Sequence, residues 1–220
     1  MSSTYPLPLT SPPRLPVGRR PPFVPPPSRP TLDASDPSKG GSVANAPLDG
    51  LIRHDDAGRM VPVDAEAVEH VVRRLLDDAS APCARLREAG VGLIVLGRYE
   101  QARTVLRRAL ALADERQAVA VHINLGDAHR YDGDLDGAER HYRDALRTAR
   151  EVRPAAVHFC LQHLGKQRVD QGRIAEAVAL LREALALRET LGDPALVMAT
   201  REALRLAVRG GGPGLPGALP

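Results

Sequence analysis

The chain has 220 residues, with 30 Lys or Arg against 27 Asp or Glu, a formal charge of +3, 20 prolines, 19 glycines, two cysteines and 3% aromatic residues. Two isolated cysteines exclude a disulfide-stapled secreted scaffold, and no stretch approaches the ~18 apolar residues of a membrane-spanning helix. Residues 83–208 carry 20 basic and 17 acidic groups with few aromatics to stack on bases, which argues against a nucleic-acid partner.

The first apolar runs are interrupted by Pro6, Pro8, Pro12, Pro13 and Pro16, so none has the length of a signal peptide and a cytoplasmic location is expected. Nearly all the basic charge is Arg, with only Lys39 and Lys166 as lysine; with the Ala, Leu, Gly and Pro bias, this suggests a bacterial, GC-rich source. Fourteen of the prolines fall in residues 1–62. Residues 1–50 are too poor in apolar groups to offset the entropy of ordering and read as a disordered, proline-rich arm. Within it Arg19, Pro22 and Pro25 have the spacing that polyproline grooves accept, a spacing any Pro- and Arg-rich arm also yields by chance. Residues 51–62 could turn back about Asp55–Gly58 as a short hairpin, but an isolated two-stranded ribbon is marginal, and the segment reads as linker. The whole of 1–62 is therefore expected to be arm and linker.

From Asp64 onward apolar residues recur at helical spacing with no strand alternation, so the folded region, 63–208, is expected to be all-α. Gly90, Gly97, Ala102 and Ala109 define spacings of 7, 5 and 7 residues, and Gly126, Gly133, Ala138 and Ala145 repeat them, as do Gly165, Gly172, Ala177 and Ala184. Three copies at a period of 36 and 39 residues mark a repeat architecture of units near 83–116, 119–152 and 158–191. The second glycine of each unit suits a left-handed helix end. The first lies inside a helix, where Gly costs about 1 kcal/mol against Ala, and so implies a partner helix too close for a side chain. Leu106, Tyr142 and Leu181 are the large residues placed to fill that seam.

This skeleton resembles the tetratricopeptide repeat. Leu86, His122 and Leu161 stand where the family often has a bulky aromatic, and the units are slightly long, with Gly192-Asp193-Pro194 at a junction, like arrays in bacterial signalling and regulatory proteins. The resemblance implies a right-handed superhelical α-solenoid of antiparallel helical hairpins. Residues 64–78 read as a degenerate second helix, and 195–208 as a first helix without its partner, capping the array with Arg201, Glu202 and Arg205; 209–220 read as a disordered tail. Val197, Leu204 and Val208 offer a route to a homodimer through the array end.

Seven histidines are present, yet His122, His129 and His141 are expected on different helical faces, and Cys83 and Cys160 fall in separate units as small core residues. Asp132, Asp134, Asp136 and Gly137 open like a calcium loop, but Arg143 stands where its bidentate Glu belongs, so the aspartates read as helix caps. No phosphate loop, nucleophile elbow or carboxylate pair occurs; the reading is non-catalytic, with no cofactor and no metal.

In such an array the first helices line a concave groove for a peptide or helix. By helical phase Arg87, Val91, Asn124, Asp127, Tyr131, Phe159, His163, Lys166 and Glu202 should face it. The resemblance gives Asn124 the role of an amide that grips a ligand backbone. The chaperone-binding clamp of the family would fall on Arg87, Val91, Asn124, Phe159 and His163, where only Asn124 matches. The function expected is protein–protein interaction, with a partner of unknown identity. The alternative is a regulatory sensor that takes a small ligand or signalling peptide and controls a separate transcription or signalling partner.

Overall fold

The computed structural model of the protein describes residues 48–55 and 58–210; the proline-rich arm with its Arg19, Pro22 and Pro25 spacing, and the tail after residue 210, lie outside the described residues. A 3-10 turn over Leu48–Leu51 leads into strands β1 (Ile52–His54) and β2 (Met60–Pro62). Eight helices follow: α1 (Ala65–Leu76), α2 (Cys83–Val95), α3 (Tyr99–Ala111), α4 (Glu115–Tyr131), α5 (Leu135–Val152), α6 (Val157–Asp170), α7 (Ile174–Leu191) and α8 (Pro194–Gly210).

Helix starts follow from local capping. The Asp64 carboxylate accepts the Ala67 N–H at α1, Asp114 and Gln117 form a reciprocal capping box at α4, and Asp134 accepts the Gly137 N–H at α5. Within the hairpins α2/α3, α4/α5 and α6/α7 the first helix ends at Gly97, Gly133 and Gly172, with φ of 73°, 89° and 72°. Only a residue without Cβ takes that conformation at no steric cost.

Each helix packs on the next in chain order, the arrangement of a tetratricopeptide-like solenoid. The seam is as tight as the repeat implies. A Cβ on Gly90 would lie 2.5 Å from Leu106 Cγ and one on Gly165 2.7 Å from Leu181 Cγ; at Gly126 it would run into the Tyr142 ring. Ala102, Ala109, Ala138, Ala145, Ala177 and Ala184 are all fully buried on the facing helices. First helices also touch one another in succession, α2 on α4, α4 on α6 and α6 on α8, more closely than the second helices do, so they form the inner face of the array.

Two expectations are corrected. Residues 48–55 and 58–62 are part of the folded body: β1 and β2 pair antiparallel, Ile52 opposite Pro62 and His54 opposite Met60. The ribbon is held because it has something to pack on. Leu48 and Leu51 are buried in the core with Val68, Val72 and Leu93, Ile52 and Met60 pack against that cluster, and the Met60 N–H donates to Tyr131 Oη at 3.0 Å. At the other end of the array, Leu204 is buried against Leu181 and unavailable to a second copy, whereas Met198, 70% exposed, is open. α8 is continuous through Gly210. No helix among the described residues is long and apolar enough to cross a membrane.

Candidate functional site

The concave face is built from α2, α4, α6 and α8, and the β1–β2 ribbon crosses part of it. The ribbon turn is closed by Asp55, whose carbonyl accepts the Gly58 N–H and whose carboxylate accepts the Arg59 N–H. That turn faces α6 and α8: a Cβ on Gly58 would lie 3.7 Å from Leu206 Cδ1 and 4.0 Å from Lys166 Nζ. Tyr131, at the end of α4, is the ribbon's seat. Its ring carries the Arg59 guanidinium at 5.4 Å and meets Tyr99 edge-on at 6.4 Å, and burial and the nearby Asp127 carboxylate push its hydroxyl pKa up to about 12.

With the ribbon in place the predicted groove residues divide between two cavities. The first, about 440 Å³, is framed by α2, α4 and α6 and lined by Cys83, Arg87, Val119, Ile123, Asn124 and Phe159 among others. Its floor is apolar and its rim polar, with Arg87 Nη1 donating to Asn124 Oδ1 at 3.3 Å across it. The second, about 770 Å³, lies under the ribbon between α4, α6, α7 and α8, and takes in Asp127, Tyr131, Lys166 and Glu202. Phe159 and His163 line both. Val91 lines neither cavity; it is half-buried against the core of α1–α4.

Asp127 is a structural anchor as much as a groove residue, being only 2% exposed. It accepts the Tyr142 hydroxyl at 2.7 Å and shares a hydrogen bond with His163 Nδ1 at 2.8 Å. Burial pushes its pKa up, but the charge and hydrogen bond of His163, with Tyr142 and Arg130, outweigh that and hold the carboxyl below its ordinary range. Arg130, beside it, is ion-paired with Asp170 at 2.6 Å.

Sequence reasoning missed Arg188. It sits on α7, a second helix, at a spacing that reads as a solvated position, yet it is 1% exposed and reaches inward to the wall of the larger cavity. It donates to His158 Nδ1 at 2.9 Å, the Leu196 carbonyl at 3.1 Å, Thr200 Oγ1 at 2.7 Å and Gln162 Oε1, all neutral acceptors. Burial lowers its pKa to about 10 against the opposing charge of Asp193, and burial plus this cation lowers His158 to about 4, matching the acceptor role of His158 Nδ1.

The histidines expected on different faces are in fact brought together. His122 and His141 meet across the α4/α5 hairpin with Nδ1 atoms 3.1 Å apart, and His129 stacks on His141 at 5.2 Å. The aspartates of the intervening turn have structural partners: Asp132 pairs with Arg103 at 2.7 Å, and Asp134 caps α5 and bonds His129 Nδ1 at 2.8 Å. Cys83 and Cys160 are both buried free thiols, raised in pKa chiefly by burial.

Residues 83–151 match a family pattern described as tetratricopeptide repeat, and residues 169–193 match a second with the same description. No curated protein matches the chain. Repeats of this kind generally mediate protein–protein interaction and are typically non-catalytic. The two matches, the first over the stacked hairpins α2/α3 and α4/α5 and the second over α7, support a tetratricopeptide repeat family for this chain.

Proposed function

We propose that the protein is a non-catalytic interaction module that holds a peptide or helix segment of a protein partner in the cavity between α2, α4 and α6. The observation that carries this reading is the convergence of Arg87, Asn124, Phe159 and His163, from three successive first helices, on one apolar-floored opening. An amide and a guanidinium on the rim can bond a ligand backbone whatever its sequence, while the floor takes an apolar side chain. The Arg87–Asn124 bond, at 3.3 Å, is long and readily exchanged for bonds to a ligand.

The test is affinity capture by the full chain, compared with an Arg87→Glu, Asn124→Ala double variant and with Arg143→Glu, Arg147→Glu on the outer face of α5. A partner retained by the wild type and the outer-face variant and lost by the groove variant is the expected result. Equal retention by all three would contradict groove binding.

A second reading, a regulatory sensor with a small ligand, is favoured by one observation: the larger cavity is roofed by the chain's own ribbon and closed at its side by α8, as a pocket for a small molecule is. Exposed Met198 and Val208 at the array end are available for a homodimer; the expected sign is a concentration-dependent mass that Met198→Glu abolishes.

A further inference from the structure

We infer that the cavity beneath the ribbon is a binding site for an organic carboxylate, an anionic head on an apolar body, whose head is taken by Lys166 and Arg188. The inference rests on the sensor reading of that cavity and names its ligand class. Its volume, about 770 Å³, lies within the range of about 300–1000 Å³ typical of small-molecule sites.

The cavity holds cations with no close counter-ion. Three acidic side chains line the cavity, and each is engaged within the chain: Asp127 by Tyr142 and His163, Glu202 by Arg205 at 2.6 Å, and Asp55 by the Arg59 amide. Arg130 is likewise spent on Asp170. Lys166 and Arg188 differ. Among the described residues no carboxylate stands at ion-pair distance from either, and Lys166 has no hydrogen-bond partner there at all. Lys166 is the only lysine among the described residues. Burial, first, and the neighbouring Arg130 and Arg188 cations lower its pKa, against the more distant carboxylates of Asp127 and Asp170.

A cation partly withdrawn from water without a close counter-ion is costly, and among the described residues Asp127, Asp170 and Asp193 act on these two only from beyond ion-pair distance. Anions with an apolar body fit best, because Met60, Phe159, Leu196, Ala203 and Leu206 supply an apolar part of the wall. A carboxylate can come from a free organic acid or from the C-terminus of a peptide, and both present the same group to Lys166.

The full chain is titrated calorimetrically with sodium octanoate, with octylammonium chloride as the charge-reversed control, and with N-acetyl-Ala-Leu-Leu as free acid and as amide. Octanoate is expected to bind and octylammonium not; binding of the peptide acid but not of octanoate assigns the carboxylate to a chain terminus. Lys166→Met, with its fold checked by thermal melting, is expected to weaken the bound carboxylate at least about tenfold, the worth of one charge-assisted hydrogen bond. Reductive methylation of the wild type supplies a readout independent of the variant: Lys166 should be modified without ligand and protected with it. Equal binding of acid and ammonium, an unchanged affinity in Lys166→Met, or no protection of Lys166 would overturn the inference. Because Arg87 and Asn124 lie in the other cavity, partner capture that survives while octanoate and the peptide acid both fail sinks this inference alone.

Discussion

At Gly126 the absence of a side chain is what lets Tyr142 lie flat in the seam and reach Asp127 with its hydroxyl. Gly126→Ala gains up to about 1 kcal/mol of helix propensity, but a methyl driven into a fully buried ring costs about 1–3 kcal/mol in overpacking. The expected net effect is destabilisation, read as a lower denaturant midpoint with an unchanged slope. The same substitution at solvent-facing Gly50, where nothing lies within 4 Å, should not lower it. At His141 the relevant quantity is a proton. Burial, with His122 and His129 beside it, holds its pKa at about 4; burial lowers His122, and His158 is also at about 4. Unfolded imidazoles protonate near 6.5, so between pH 6.5 and 4 the unfolded chain binds more protons than the folded one. Stability is therefore complete above pH 6.5 and falls as the pH drops toward 4. Thermal melting should show a lower midpoint at pH 5 than at pH 7.5, and His141→Leu should flatten part of that dependence; an equal slope in the variant would contradict the assignment. The pairing of His122 with His141 was legible in principle, because the two lie at similar distances either side of the α4/α5 turn, and an antiparallel hairpin brings such positions opposite each other.

At the scale of elements, the β1–β2 ribbon shows why a hairpin legible from its turn residues still reads as linker in the sequence alone. Its stabilising partners are remote: Tyr131 is 71 residues from Met60, and Val72 and Leu93 come from α1 and α2. Tyr131→Phe removes one acceptor and leaves the packing, at an expected cost of about 1 kcal/mol. The Met60 amide should then exchange with solvent faster while the amides of α6 do not, as hydrogen exchange will show. The α7–α8 junction depends on Arg188 in a comparable way, since it bonds the Leu196 carbonyl and Thr200 of α8 as well as Gln162 of α6. Arg188→Ala strands those buried acceptors and should cost about 3 kcal/mol or more, read by chemical denaturation. An unchanged midpoint would mean the network is not what docks α8. Nothing in the spacing of α7 distinguishes Arg188 from its exposed neighbours Arg182 and Glu189, because its burial is decided by α8 packing across it.

For the whole molecule, the repeat skeleton carried the architecture, because the small residues at Gly90, Gly126, Gly165 and their alanine partners are constrained by helix-to-helix distance, which is a property of the repeat itself. What it did not carry is anything contributed by segments outside the repeat. The ribbon covers part of the concave face and turns one expected groove into two cavities, leaving Arg87 and Asn124 in one and Lys166 and Glu202 in the other. Val91 was placed by phase alone, and the packing of α2 on α1 takes it half out of solvent. The smaller cavity is the seat proposed for a protein partner. Its most direct test is site-specific photo-crosslinking in cells of the source organism, with a benzoylphenylalanine at Ala120, on the wall of that cavity, or at Arg147, exposed on α5. The account predicts a discrete crosslinked partner from position 120 that is absent from position 147; the same adduct from both, or from 147 alone, would contradict it.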